Sequence, residues 1–222
     1  MSQQAVIDAW ADLTNWVENT LPADAVNEAL PNITEDLGDI GACNAFNVSI
    51  PDNTTTWGST GDAVITITGL QITTMSGVQI QAATAQSDTA FQLPLQFGSL
   101  QVEGNYSYTE PCAEYDAGHQ ISSANATGNG TISWSISNGT LTYAATLNGN
   151  LSITGVTVGG NASVSANPND GGLPSWLVSI LNFFSSFNEQ TALNNAVASV
   201  FQNASFTNTM LDMLNSELQG GN

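Results

Sequence analysis

The chain has 222 residues and is 41% hydrophobic, with 19 carboxylates, one histidine and no lysine or arginine, so its formal net charge is −19 and its pI is about 4.1. Nucleic acids and anionic lipid headgroups are held by cationic side chains, and this composition therefore excludes both classes of partner. The apolar content is sufficient for one large folded domain or two small ones.

The lack of basic residues limits how the fold can be stabilised. Ion pairs are almost absent, so apolar burial, backbone hydrogen bonds and any disulfide must hold the fold. Repulsion between the carboxylates fades as they become protonated near pH ~4, which predicts acid tolerance. Trypsin-like proteases find no cleavage site, and three explanations stay open for the depletion: a protease-rich lumen, an acidic extracellular fluid, or deliberate redesign.

The first predicted element is an amphipathic helix over residues 3–20. Its apolar residues recur at i, i+4, i+7 and i+11 and share one face: Val6, Trp10, Leu13 and Val17. Ser2 can cap this helix, and Pro22 marks its end. The loop-rich segment that follows can be helical at residues 23–30.

From about residue 45 to residue 166 the sequence predicts an antiparallel β-meander. Apolar and polar residues alternate in DAVITIT, VQIQAAT, FQLPLQF, LQVEGNYSY, TISWSIS, LTYAATL, LSITGVTV and ASVSA. The Asn- and Gly-rich breaks NGT, NGN and VGGN between the later runs predict hairpin turns, because a type I′ turn needs positive φ at both central residues. Pro94 fits a strand edge or a bulge, since it cannot donate a backbone hydrogen bond.

The end of the chain is predicted to be helical again, over residues 173–218. Its apolar stripe has alternating spacings of four and three: Leu193, Val197, Val200, Ala204, Thr207, Leu211, Leu214 and Leu218. The two helical regions are the available covers for one face of a twisted sheet, which gives an α+β fold. No internal repeat or linker divides the chain, so we predict a single domain over residues 1–222.

Cys43 and Cys112 are an even pair in a chain of extracellular composition and predict a disulfide. Such a link would stabilise the fold by about 4 kcal/mol in the chain-entropy model, and two buried free thiols are the alternative. Ten Asn-X-Ser/Thr sequons favour a glycosylated, secreted, extracellular protein, and polar composition alone is the other explanation. They begin at Asn32, Asn47, Asn53, Asn105, Asn125, Asn129, Asn138, Asn150, Asn161 and Asn203.

Signatures of catalysis and metal binding are sparse. A serine or cysteine hydrolase needs a nucleophile beside a base, whereas this chain has one histidine and no Gly-x-Ser-x-Gly elbow. His119 falls in a predicted loop, where we expect it to be exposed. Zinc ligands at recurrent spacing are lacking, and we expect no cofactor. The richest apolar run, WLVSILNFF, is too short and too polar to span a bilayer, so we expect a soluble protein.

Two acidic groups leave other chemistry open: Glu110, Glu114 and Asp116, and Glu35, Asp36 and Asp39. Neither resembles an EF-hand loop, so a calcium site and solvated loop acids are alternative explanations. An acid hydrolase needs only a pair of carboxylates about 5 to 10 Å apart, and the sequence does not exclude such a pair.

The positive signal is apolar. Aromatic and aliphatic residues on two strand faces and near the C-terminal helix exceed what a simple two-layer core needs, which predicts an internal ligand cavity. An ordinary filled core is the alternative. The predicted ligand-binding residues are Phe91, Leu93, Leu95, Phe97, Trp134, Ile136, Trp176, Ile180, Phe184, Phe187, Leu193 and Val197.

Four segments together resemble a known superfamily: a helix ending near NTLP, late strands reading GNLSITGVTVGGNASV, the lead-in GGLPSWLVSILNFFSSF and a terminal helix ending MLDMLNSELQ. That superfamily is TULIP, which includes the group 7 mite allergens, the takeout and juvenile-hormone-binding proteins, and the bactericidal/permeability-increasing proteins. The resemblance implies a highly curved antiparallel sheet wrapped around the long C-terminal helix, with an apolar molecule in the gap. Trp176, Ile180, Phe184 and Phe187 would then line or close this slot.

Two features depart from the family pattern. Members that bind lipopolysaccharide rely on basic residues, which this chain lacks, so that function is not implied. The insect carriers commonly have a disulfide close to the N-terminus, and Cys43 with Cys112 does not match that placement.

The sequence therefore predicts a secreted, non-enzymatic carrier of a neutral hydrophobic ligand, such as a lipid, fatty acid, terpenoid or pigment. We expect it to be a monomer or to self-associate weakly. One alternative is a surface-active or structural extracellular protein that is acid-stable and protease-resistant. The second alternative is the acid hydrolase.

Overall fold

The computed structural model describes residues 2–46, 55–169 and 187–220. The described strands are β1 (Ile33–Gly38), β2 (Thr55–Ser59), β3 (Ala63–Ser76), β4 (Gln79–Ile80), β5 (Thr84–Ala85), β6 (Ala90–Asp116), β7 (His119–Asn148) and β8 (Asn150–Pro168). The described helices are α1 (Gln3–Asp12), α2 (Thr14–Asn19), α3 (Leu21–Ala25), α4 (Phe187–Asn203) and α5 (Ser205–Gly220), with a 3₁₀ helix at Ala42–Phe46.

These strands form one eight-stranded antiparallel sheet in the order β1-β3-β6-β7-β8, and β2, β4 and β5 also pair with β6. Helices from both ends of the chain pack against it and share one apolar core with it. The α+β prediction, a curled antiparallel sheet with an N-terminal helical segment and a C-terminal helical region, is confirmed.

The N-terminal amphipathic segment consists of three consecutive short helices. Ser2 caps the first, since its Oγ accepts a hydrogen bond from the Ala5 backbone N–H at 3.2 Å. The predicted apolar stripe is the buried face, with no member more than 5% exposed: Val6, Trp10, Leu13 and Val17. The Trp10 indole N–H donates to the Gln81 carbonyl at 2.9 Å and thereby joins α1 to the edge of the sheet.

The meander has fewer and longer strands than the sequence predicts, because β6, β7 and β8 contain 27, 30 and 19 residues. Gly149, at φ 78°, makes the predicted turn between β7 and β8. The turns predicted at Asn138-Gly139 and Gly159-Gly160 are wrong, since both pairs lie inside strands. Most of the predicted strand VQIQAAT is also irregular, with only the two-residue strands β4 and β5.

Aromatic rings on β6 lie over glycines on β7, and this explains why a glycine-rich segment is a strand. Tyr108 is opposite Gly128, and Phe97 is opposite Gly139. A Cβ atom at Gly128 would lie 2.3 Å from the Tyr108 ring, and one at Gly139 would lie 2.1 Å from the Phe97 ring. His119, predicted to be in a loop, and the Gly- and Asn-rich segment after it therefore belong to β7, where glycine gives the rings their space.

A line of irregular strand pairing, which we call the crease, crosses the sheet near Gly77, Gly98, Gly139 and Gly160, and it includes a register shift between Ser137 and Thr140 of β7 against β8. A Cβ at Gly77 would lie 3.1 Å from the Gly98 nitrogen, and one at Gly160 would lie 2.8 Å from the Gly139 Cα. At this line the inward-facing residues change from odd to even numbers along β6 and from even to odd along β7. Bulges bend strands and increase their twist, so we attribute the curl of the sheet to the crease.

The C-terminal stripe is divided at Ala204 between α4 and α5. The Thr207 hydroxyl donates to the Phe201 carbonyl across this interruption. Phe201 and Phe206 consequently both face the core, with ring centroids 5.2 Å apart and an interplanar angle of 62°. Met210 is buried where the stripe predicts Leu211, which is half-buried.

The predicted disulfide is confirmed: Cys43 and Cys112 are bonded, with their Cα atoms 5.6 Å apart. It fastens the 3₁₀ helix to β6. None of the described helices is long and apolar enough to cross a membrane.

Candidate functional site

The apolar interior between the sheet and the C-terminal helices contains eight of the twelve predicted ligand-binding residues. None of the eight is more than 1% exposed: Phe91, Leu93, Leu95, Phe97, Trp134, Ile136, Leu193 and Val197. They belong to one continuous cluster of buried side chains. Phe187 begins α4 and its side chain is not described, while Trp176, Ile180 and Phe184 lie outside the described residues.

Strand register determines how these side chains meet. Successive inward positions of β6 lie opposite β7, with Leu93 beside Tyr143 and Leu95 beside Leu141. The period of two places every second residue on the helix-facing side, as the sequence predicts. On α4, Leu193 and Val197 are one helical turn apart and both are fully buried.

Several residues of this interior were missed by the sequence reasoning. Phe201 and Met210 are fully buried, and Phe206 is 2% exposed. A wider apolar stripe would have found Phe201, which lies four residues after Val197 on the same helix. Phe206 and Met210 could be predicted as buried only with knowledge of the interruption at Ala204, because it rotates the second helix relative to the predicted stripe.

One polar pair lies within the apolar interior, where Tyr143 of β7 faces Thr207 of α5. Burial raises the pKa of the Tyr143 phenol, and the neighbouring Thr207 side chain offsets this only in part. The Thr207 hydroxyl directs its proton to the Phe201 carbonyl. Both groups are therefore neutral and suited to an interior without charge.

A gap of about 380 Å³ opens between β8 and α4, beside the buried Leu193 and Val197. We call it the β8–α4 seam; its lining contains no ionisable group and consists of Val156, Thr157, Val158, Gly159, Gly160, Thr191, Asn194, Asn195 and Ala198. Its volume falls within the ~300 to 1,000 Å³ typical of small-molecule sites. Val156 and Val158 of the seam pack against the apolar core, and Thr191 and Asn195 on its other side are exposed.

Asn194 gives the seam a polar anchor. Its side-chain oxygen is buried, and no hydrogen-bond donor reaches it among the described residues. A buried acceptor without a partner carries a desolvation cost of about 1 to 3 kcal/mol. A hydroxyl or amide N–H of a ligand would remove that cost once the Asn194 side chain turned its oxygen toward the gap.

Two other depressions fit an apolar molecule less well. A gap of about 520 Å³ between α1 and α5 is bordered by Asp12, Asp212 and Glu217. A depression of about 430 Å³ on the sheet is bordered by the carboxylate of Glu103. Charged or strongly hydrated linings oppose the burial of hydrocarbon.

The predicted acidic groups form no metal centre in the part of the chain that the structure describes, where no three His, Cys, Asp or Glu residues are placed to hold an ion. His119 lies at the start of β7, beside the tight turn at Ala117 and Gly118, and is exposed. Glu114 accepts a hydrogen bond from the Ser122 hydroxyl at 2.7 Å.

No family model and no curated protein matches the sequence. Among solved structures, lipopolysaccharide binding protein aligns with a TM-score of 0.46 and 13% identity, covering 94% of this chain and 39% of its own length. Epiphyas postvittana Takeout 1 aligns with a TM-score of 0.43 and 12% identity, covering 96% of this chain and 87% of its own length. The chain thus spans 39% of the length of the first structure. Both are likenesses of the overall fold at low sequence identity.

Proposed function

We propose that the protein is a secreted, non-enzymatic carrier that holds a neutral hydrophobic molecule between its sheet and its C-terminal helices. The observation that supports this most directly is the β8–α4 seam, an uncharged gap whose Val156 and Val158 pack against the apolar core. Apolar burial would supply most of the affinity, and Asn194 would bind one polar group of the ligand. A neutral ligand is favoured because no lysine or arginine is present to pair with an anion.

The proposal extends to residues predicted from the sequence alone. We propose that Trp176, Ile180, Phe184 and Phe187 line the same slot, and that residues 1–222 act as a single TULIP-like domain. Secretion is supported by the disulfide and by the exposure of all eight sequon asparagines that the structure describes. Glycosylation at these positions belongs to the same proposal.

The first test is native mass spectrometry of the purified protein, followed by organic extraction and identification of any released molecule. A stoichiometric hydrophobic adduct, reproduced after expression in a second host, supports the carrier. A ligand-free mass together with no uptake of the neutral apolar probe 1-aminoanthracene would contradict it. Surface-tension measurements at micromolar protein would then test the surface-active alternative.

A pair of matched variants locates the site. Val158→Trp places an indole in the seam and is expected to weaken 1-aminoanthracene binding at least ~10-fold, a change of about 1.4 kcal/mol. Val164→Trp is the control, since Val164 is also a half-buried β8 residue but lies outside the seam lining. Equal binding by both variants would place the site outside the seam. Phe184→Ala tests the lead-in segment in the same way: unchanged binding would show that Phe184 does not line the slot.

A further inference from the structure

Glu110 is a carboxyl group enclosed in the protein without a basic residue to neutralise it. It lies on the inward side of β6, beside the Cys43–Cys112 disulfide, and is 0% exposed. The chain has no lysine or arginine that could pair with it. Because an isolated ionised carboxylate is very unfavourable in a protein interior, this group requires either a proton or a bound cation.

The two oxygens of Glu110 have different surroundings. Oε2 accepts a hydrogen bond from the Ala42 backbone N–H at 2.7 Å. Oε1 has no donor among the described residues. The Ser59 hydroxyl lies beside the carboxyl group, but its proton is directed to the Gly61 carbonyl at 2.7 Å. Oε1 is therefore the oxygen on which a proton is most stable.

Asp39 supplies the acceptor for that proton. Its carboxyl lies within hydrogen-bonding reach of Glu110, and its Oδ1 accepts from the Gly41 backbone N–H at 2.8 Å. Burial raises the pKa of Glu110 and Asp39 raises it further, whereas the Ala42 N–H and the neighbouring Ser59 side chain lower it. Among the described residues, other titratable groups on the neighbouring elements do not contribute to this shift: Glu35, Asp36, Asp62, Glu114, Asp116 and His119.

We propose that Glu110 is a carboxylic acid that donates its proton to Asp39 and thereby locks residues 39–46 onto the sheet in a pH-dependent manner. The 3₁₀ helix of this segment contacts both β6 and β7, and its Ala42 and Cys43 are core residues. With the proton present, Glu110 bridges Asp39 and Ala42. Without it, two carboxylates face each other, and their repulsion opposes the Ala42 hydrogen bond and the disulfide that still hold the segment. This lock is independent of the carrier proposal.

The direction of the pH effect follows from linkage. Because the pKa of Glu110 is higher in the folded than in the unfolded chain, the folded state binds the extra proton between those two pKa values. The stabilisation contributed by Glu110 is therefore fully present below the pKa it has in the unfolded chain. It is lost as the pH rises through the pKa it has in the folded protein. Within this window the equilibrium constant of unfolding rises about tenfold per pH unit through this group.

Urea unfolding from pH 4 to pH 9 tests the lock, with wild type compared with Glu110→Gln, whose neutral amide imitates the protonated acid. Salt at about 0.5 M screens the repulsion among the exposed carboxylates, which include Asp39, but leaves the desolvation of the buried Glu110 carboxyl. Asp36→Asn is the matched control, because Asp36 is exposed and accepts from the N–H two residues later at 3.0 Å, as Asp39 does. We expect Glu110→Gln to lose the tenfold rise in the unfolding equilibrium constant per pH unit. Asp36→Asn should retain it.

Infrared spectroscopy gives a direct readout that does not depend on unfolding. We expect wild type, at a pH where exposed carboxyls are ionised, to show the carbonyl band of one protonated carboxylic acid, and Glu110→Gln to lack it. Identical pH dependence in wild type and Glu110→Gln, or absence of the band, would overturn the proposal. A cation site would also overturn it. Its sign would be a rise in the melting temperature of wild type with Ca²⁺, relative to NaCl of equal ionic strength, that Glu110→Gln abolishes.

Discussion

At one end of the sheet, residues 91–97 of β6 and 141–147 of β7 share an apolar core with α4 and α5, and the contacts there are mainly hydrocarbon. At the other end, residues 106–116 of β6 and 119–130 of β7 include the attachment of the 3₁₀ helix through a disulfide and a hydrogen bond to Glu110. We call these the helix-covered end and the disulfide end. The crease lies between them.

The difference teaches how a chain without basic residues can hold its interior. Apolar burial at the helix-covered end changes little with pH or redox state, because no carboxylate or thiol takes part in it. The disulfide end depends on a covalent bond and, in our proposal, on one proton. Perturbations should therefore separate the two ends according to their chemistry.

The largest expected effect is at the helix-covered end. Phe201→Ala removes a fully buried ring and should lower the free energy of unfolding by about 3 to 5 kcal/mol. The loss should be the same at acidic and neutral pH, because Tyr143, a titratable residue of this interior, is neutral at both. Urea denaturation at the two pH values measures it.

Met213→Ala is the control for that variant. Met213 is on the neighbouring helix and is 36% exposed, so its truncation should change stability by less than about 0.5 kcal/mol. A similar loss from both variants would show that burial does not determine stability at this end.

Removal of the disulfide should have the next largest effect. Replacing Cys43 and Cys112 together by alanine should destabilise the fold by about 2 to 5 kcal/mol, because the link closes a long loop in the unfolded chain. Hydrogen exchange should show loss of protection at Ala42 before residues 141–147 lose theirs. Simultaneous loss at both places would contradict the separation of the two ends.

The elements that the sequence predicted are those with a strong local period. The N-terminal stripe, the β alternation and the C-terminal apolar stripe each repeat over several turns or residue pairs, so burial of one face follows from them. The disulfide followed from an even cysteine count. The turn predicted at Asn138-Gly139 is wrong because Asn-Gly between alternating segments indicates a hairpin. Gly139 instead makes room for the Phe97 ring on the neighbouring strand.

The candidate sites were predictable only in part. Buried positions such as Leu93 and Val197 follow from period, but the seam depends on how α4 lies beside β8, which no local pattern encodes. Glu110 could have been singled out from the 19 carboxylates by its register, since Tyr106, Tyr108 and Cys112 alternate with it on the inward side. Its partner Asp39 could not, because 70 intervening residues separate the two.

The smallest effect we predict is at the crease, and it tests whether the two ends are mechanically joined. Gly139→Ala places a Cβ 2.1 Å from the Phe97 ring and should cost about 1 to 3 kcal/mol through overpacking. Gly155→Ala on β8 is the matched control; its Cβ would meet no atom within 4 Å, so stability should change by less than about 1 kcal/mol and can increase.

Phe97→Leu in the Gly139→Ala background should recover part of the loss if the ring contact is its cause. Hydrogen exchange then shows whether the ends are coupled. If the crease only sets the curl locally, protection falls at residues 91–97 and 141–147 while Ala42 keeps its own. If Ala42 loses protection as well, the crease transmits strain along β6 and β7, and the division into two separately stabilised ends fails, because a bend in a 27-residue strand has then displaced the partners of Glu110 at its far end.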